Sequence, residues 1–378
     1  MPTSTVGRRV EHAHLAFTLA VQHALAGAPT DAVCWSPYSV ASALGLTATG
    51  ARGATRDELA ALLLGSATGS LTDQATMLTE ASSLTDTGRG DPPVLGVANT
   101  LWAHDKLPIR PEFAAELALW PNGAVRDAPF ETDLDGARRL INADVAETTH
   151  DLIPELLAPG VIKRDTVAAL VNALYLKVAW GNKFPETATK PLPFHGPTSD
   201  APVPTMRLDK RLGYAATAGW QVVVLPAAGD VEAVVLLPDG DLPAAEGALD
   251  AQAFAALLDA PAPTTLHLYL PKFRVRAKAR LNDTLRSLGV RTMFSDDADL
   301  SGISDQPMAI DAVLHEAVLT IDEDGLEGAA ATAMVMRALS MHRDLTRPIE
   351  VRVDRPFLFL VRHRPSGAVY FLARVVAP

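Results

Sequence analysis

An α+β fold with largely antiparallel sheets is the expectation for this 378-residue chain, and three observations lead to it. Helical periodicity fills the first part of the sequence, strand patterns fill the later part, and two of the strand pairs are closed by short turns. No Gly/Ser linker or charge block interrupts the chain, and no internal repeat of about 20–50 residues is present. One large domain spanning 1–378 is therefore expected.

The elements follow in order. Residues 8–26 carry Leu15, Leu19, Gln22 and His23 at helical spacing, which makes an amphipathic helix. Polar breaks at His12, His14, Gln22 and His23 speak against a secretory signal, and no convincing cleavage site follows. Ser36-Pro37 opens a second helix, "SPYSVASALGLTATGA", and "TRDELAALLLG" forms a third that stops at Gly65. Segments 133–150 and 279–288 are further helices, the second closing with "SLGV". "TVAALVNALYL" is an almost unbroken apolar run, as a strand buried on both faces requires. "QVVVLPAAGDVEAVVLLPDG" reads as two strands and a turn, and "TTLHLYLPKFRVR" alternates. "RPFLFLVRHRPSGAVYFLARVV" is a hairpin around Pro365-Ser366-Gly367.

Composition excludes several functions. The chain is 48% hydrophobic and 20% charged, a globular balance, and its net charge of -11 argues against nucleic acid and anionic membrane as partners. No apolar run approaches membrane-spanning length. Cys34 is the single cysteine, so an internal disulfide framework is ruled out. The cytoplasm is the parsimonious location, with export by a route the sequence does not reveal left open.

Catalytic motifs are missing. There is no G-x-S-x-G elbow, no G-x-x-x-x-G-K loop, no H-E-x-x-H and no C-x-x-C, so no enzyme, cofactor or metal is expected. "LHEAVLT" begins like a zinc motif but lacks the second histidine. His12 and His14 point apart on a helix and read as surface residues. Arg89-Gly90-Asp91, inside "TGRGDPP", is a turn. Asn282-Asp283-Thr284 has the form of a glycosylation acceptor, which carries no weight without secretion.

Several stretches, taken together and in order, resemble the serpin family of serine protease inhibitors. "WSPYSVASALGLTATGARGATRDELAALL", "VANTLW" and "LVNALYLKVAWGNKF" come first. "LPKFRVRAKARLNDTLRSLGVRTMFSDDADLSGIS", "LHEAVLTIDEDG" and "DRPFLFLVRHRPSGAVYFLARVVAP" follow. The resemblance spans residues 8–378 and implies three sheets, eight or nine helices and an exposed reactive-centre loop over about 324–348. It also implies that Ser36, Ser39, Asn172 and His315 cluster beneath the middle of the large sheet, and that Trp180 sits where that sheet first parts. A sheet that opens needs polar groups able to exchange partners. Read without the family, the serines are helix-start residues and His315 a satisfied core histidine.

The same resemblance makes Glu323, Gly325, Leu326, Glu327, Gly328, Ala329 and Ala330 the hinge of that loop, and seventeen residues counted from Glu323 put the scissile bond at Leu339–Ser340. A leucine there suits serine proteases with an apolar primary pocket, whether chymotrypsin-, elastase- or subtilisin-like. Arg337, Met341, Arg343 and Leu345 stay open as cleavage positions, because "SMHRDLTRP" is longer than the family pattern. As a strand, 326–339 would put both its charges, Glu327 and Arg337, on one face and none on the other. Other departures matter too. Leu326 stands where inhibitory members carry a small Thr or Ser, and Gly328 where they carry Ala, so a non-inhibitory binding or chaperone-like serpin is the alternative. The helix about 141–152 lacks the family's tryptophan and glycine, and 66–92 holds no basic run, so no heparin-type cofactor is expected. A monomer is the expected state.

Overall fold

The computed structural model describes residues 5–86, 92–163, 166–326 and 347–378. Helix α1 (Thr5–Leu25) buries Leu15, Phe17, Leu19 and Val21, and the short β1 (Val33–Trp35) connects it to α2 (Pro37–Gly50). α2 is buried at every position but Thr49, its Ser42 and Thr47 hydroxyls satisfied by the carbonyls of Tyr38 and Ala43, so it takes the central position. Ser36 caps it, its Oγ accepting from Ser39 N at 3.1 Å, and Pro37 occupies the first turn. α3 (Gly53–Leu64) ends at Gly65, whose φ of +67° supplies the left-handed residue that closes a helix.

Next come α4 (Leu71–Ser82), β2 (Val94–His104), the short α5 (Pro111–Glu116), β3 (Gly123–Ala128) and α6 (Leu134–Thr148). α6 starts on Asp133, whose Oδ1 accepts from Gly136 N at 2.8 Å. β4 (Ala168–Ala179) is buried at all but one position, as its apolar run predicts. The hairpin of β5 (Lys190–His195) and β6 (Asp200–Thr217) was not expected. Pro191 faces Pro204 in it and Pro193 faces Pro202, and prolines lack the ladder N–H, so the segment does not read as strand.

The two expected strands and turn are β7 (Trp220–Pro226) and β8 (Val231–Pro238), followed by α7 (Leu242–Gly247) and α8 (Ala251–Asp259). The alternating stretch over 264–276 is two strands, β9 (Ala262–Pro271) and β10 (Phe273–Arg280), because the chain crosses between sheets at Lys272. Pairing of Arg280 with Leu314 extends β10 and trims the expected helix 279–288 to α9 (Asn282–Ser287). β11 (Ala312–Ile321), β12 (Gly325–Leu326), β13 (Ile349–Arg352), β14 (Phe357–His363) and β15 (Val369–Val375) complete the described chain. The turn of the β14–β15 hairpin needs Gly367, whose φ is +75° and where a Cβ would stand 2.5 Å from the Glu11 carboxyl carbon.

Among the described residues the strands form two ladders. One is nine-stranded, β1-β15-β14-β8-β7-β6-β9-β13 with β5 on β6, and the other is β10-β11-β12-β4-β2-β3. Two ladders thus stand where three sheets were expected, because the long β6 is continuous: it pairs with β5 and β9 along most of its length and with β7 from Gly213 to Thr217. Both faces of the six-stranded sheet are covered. Leu170, Leu174 and Ala317 face the main core with α2, whereas Ala169, Val171, Leu314 and Val318 pack with Ile141 and Val145 of α6. Pairing is not uniformly antiparallel: β11–β4, β2–β3 and β13–β9 are parallel.

One minor reading needs correction and another gains a structural reason. His14 is not at the surface but fully buried, its Nε2 accepting from Val369 N at 3.1 Å; α1 lies under the C-terminal hairpin, so its inner face has no solvent. Asn282 is no exposed glycosylation acceptor either. It is buried, with Oδ1 accepting from Val313 N at 3.0 Å and Nδ2 donating to Asp311 O at 2.8 Å.

Candidate functional site at a forked sheet

β11 and β4 lie side by side and parallel over only part of their lengths. Their pairs run from Ala312/Ala169 to Glu316/Ala173 and stop. Further up, β12 forms an antiparallel wedge between them: Leu326 pairs with Ile321 on one side and Val178 on the other, and Gly325 pairs with Ala179. The sheet is thus a fork, closed below and started above. Leu326 is fully buried in it. Gly325 is required by close approach, since a Cβ there would stand 2.1 Å from the carbonyl oxygen of Val178.

The closed part carries a polar row on its α2 face. Asn172 pairs with His315 on one side and with Asn99 on the other, and all three are buried. His315 Nδ1 lies 3.1 Å from Asn172 Oδ1, His315 Nε2 lies 3.0 Å from Ser36 N, and Asn172 Nδ2 donates to Ser39 O at 2.7 Å. A backbone N–H can only donate, so Nε2 is the acceptor and the ring proton is on Nδ1, pointing at the Asn172 carbonyl oxygen. Burial lowers the His315 pKa to about 4, so the ring is neutral. The structure thus brings Ser36, Ser39, Asn172 and His315 into one hydrogen-bonded group. Asn99 was missed, although a lone asparagine within the apolar "VANTLW" is the signal that finds it.

At the top of the fork, the turn that leaves β11 is held by the segment after β4. Trp180 Nε1 donates to Asp322 O at 2.8 Å, Phe184 N to Glu323 O at 3.0 Å and Trp180 N to Asp324 O at 2.9 Å. Three successive carbonyls are thus fixed. Glu323, itself buried, accepts from Thr189 Oγ1 at 2.7 Å and from Lys272 Nζ at 2.6 Å, while Lys183 pairs with Asp324. Burial pushes the Glu323 carboxyl up, but Lys272 and Thr189 outweigh it and hold the group below the ordinary range. Inside the turn, Asp322 Oδ1 accepts from Asp324 N at 2.9 Å and Gly325 N at 3.2 Å.

Glu327, Gly328, Ala329, Ala330, the bond Leu339–Ser340 and the alternatives Arg337, Met341, Arg343 and Leu345 lie outside the described residues, as does Arg89-Gly90-Asp91. Among the described residues no group of His, Cys, Asp and Glu could hold a metal ion, and no helix is long and apolar enough to cross a membrane.

A large sheet forked between β11 and β4, set over a central helix and joined to a nine-stranded ladder, is the serpin fold. The chain belongs to the serpin family, whose model, described as Serpin (serine protease inhibitor), matches residues 11–378. It is 32% identical over 363 residues to the leukocyte elastase inhibitor of Bos taurus, covering 93% of this chain and 94% of that protein. Among solved structures it is similar to uncleaved ovalbumin, with a TM-score of 0.83, 25% identity and coverage of 98% of this chain and 100% of the other. A tumour-suppressing serpin shares the fold at a TM-score of 0.85 and 23% identity, with 99% and 100% covered.

Proposed function

We propose that the chain is a suicide-substrate inhibitor of serine endopeptidases. A protease cuts the loop at Leu339–Ser340, and the freed segment continues β12 down the fork as a full strand. The observation that carries this reading is the wedge itself. β12 is antiparallel to both neighbours, which are parallel to each other. Extending it replaces one parallel ladder with two antiparallel ones, the more stable pairing per residue. Leu326, the departure that raised the non-inhibitory alternative, is already accommodated in the core.

The register supports the same conclusion. Leu326 faces Ile321 and Val178; six steps further, Thr332 would face His315 and Asn172. Its hydroxyl can accept from the one and donate to the other, replacing the hydrogen bond that its arrival splits. Gly328 would enter between Leu319 and Leu176, and Ala330 beside Leu174, so small residues meet large ones. Charged Glu327 and Arg337 would fall on the opposite face.

Energies suffice for trapping. About ten new ladder bonds at about 1 kcal/mol net give about 10 kcal/mol, comparable to the stability of a whole domain. The uncut form is then held by a kinetic barrier. Fourteen residues, 326 to 339, at about 3.3 Å each carry an acyl-linked protease about 45 Å. Pulling its serine out of the oxyanion hole removes the alignment that deacylation needs. The partner is a serine protease with an apolar primary pocket, bound by a monomer without a heparin-type cofactor.

Incubation with chymotrypsin or elastase should give a complex that survives boiling in SDS, and mass spectrometry of the released peptide should begin it at Ser340. Clean cleavage with neither complex nor a rise in thermal stability would assign the chain to the non-inhibitory reading.

A further inference from the structure

Glu316 is the last β11 residue paired with β4, at the crotch of the fork. Alternation along β11 turns His315 toward α2 and Glu316 toward α6. There its side chain is completely buried among Val171, Ala173, Leu314 and Val318. One oxygen is satisfied, Oε1 lying 2.6 Å from Nε of the half-exposed Arg276. The other, Oε2, has no hydrogen-bond partner among the described residues. The cation directly opposite on β10, Lys278, does not supply one: its Nζ donates instead to Glu155 O, 3.0 Å away in the segment after α6. Its neighbours on β4 and β11, Ala173, Leu314 and Val318, are apolar, so among the described residues only Arg276 on β10 answers the acid.

An unsatisfied carboxylate oxygen in an apolar layer destabilises whatever state contains it. That state is the closed sheet. Parting β11 from β4 breaks the Glu316/Ala173 pair first and opens the layer between sheet and α6 to water, which can hydrate Oε2. We propose that Glu316 is a strain element at the fork: its half-satisfied carboxylate raises the energy of the closed sheet and is relieved as the strands part. It thereby lowers the barrier to strand insertion. This second consequence rests on the inhibitory reading; the first does not.

The test replaces Glu316 with Met and, separately, with Leu, and compares melting midpoints before and after loop cleavage. Both variants should melt about 3–6 °C higher when uncut, with less than half that gain in the cleaved form. The fraction of protease encounters ending in a stable complex should fall at least about threefold relative to the parent protein. Arg276→Met, which strands the whole carboxylate, should lower the uncut midpoint. Unchanged or lowered uncut midpoints in both Glu316 variants overturn the proposal, as does an equal gain in the cleaved form. A parent protein that forms no complex and gains no stability on cleavage overturns the inhibitory reading instead, and the uncut midpoints still decide whether Glu316 strains the sheet.

Discussion

His315 and Asn172 are paired across β11 and β4, and their side chains are joined by a hydrogen bond of 3.1 Å between Nδ1 and Oδ1. This contact ties together the two strands that would have to separate. With Ser36 N donating to Nε2, the imidazole has no site for a second proton.

A pH dependence follows from that saturation. Burial depresses the folded-state pKa of His315 to about 4 from the ordinary 6.5, and burial does the same to His14. Between these values the unfolded chain takes up protons that the native chain does not. Stability is therefore fully present above about pH 6.5 and is lost as pH falls toward about 4, with each ring contributing up to about 3 kcal/mol. Urea midpoints of the uncut protein should fall steadily over this window. His363 is also lowered by burial and adds to the fall, so in a His14→Gln variant that folds the fall should be smaller but not abolished; an identical slope in the variant would refute the assignment.

Thr332 is expected to act only after insertion. Thr332→Val keeps the shape but removes the hydroxyl that would bridge His315 and Asn172, leaving buried groups unpaired at a cost of about 1–3 kcal/mol. The loss should appear in the melting of the loop-cleaved form and not in that of the uncut form. Equal shifts in both forms would rule out the register continued from Leu326.

Glu323 anchors the turn from which the loop departs. Glu323→Gln weakens its contact with Lys272 and removes the charge that Thr189 also faces. Lys272 is partly exposed, so the loss should be modest, about 1–2 kcal/mol. Hydrogen exchange should accelerate first at the amides of Trp180 and Phe184, which donate to the turn. Faster exchange confined to β14 and β15 would count against a local anchor.

Much of this is legible in the sequence, and the reasons are local. β4 is apolar at nearly every position, α2 has a cap, a proline and no polar face, and Gly367 marks its turn. Hairpin β5–β6 was not legible, because its four facing prolines look like turns until a partner strand is found. The division of 264–276 at Lys272 depends on which sheet each half joins, and His14 looked exposed because nothing local announces the hairpin above it. Asn99 became part of the polar row only when its pairing with Asn172 was known.

By itself the sequence determined the family, the polar residues set into apolar strands and the alternating composition of 326–339, since these are properties of residue type and spacing. Tertiary structure alone decided that β11 and β4 are parallel, that they part above Glu316/Ala173 and that Leu326 lies between Ile321 and Val178. Apart from the Leu326–Ile321 pair, those facts are pairings between segments more than a hundred residues apart in the chain, and the free energy that selects them comes from the sheet as a whole. The burial of Glu316 belongs with them, because no property of an acid in "LHEAVLT" foretells an apolar layer over it.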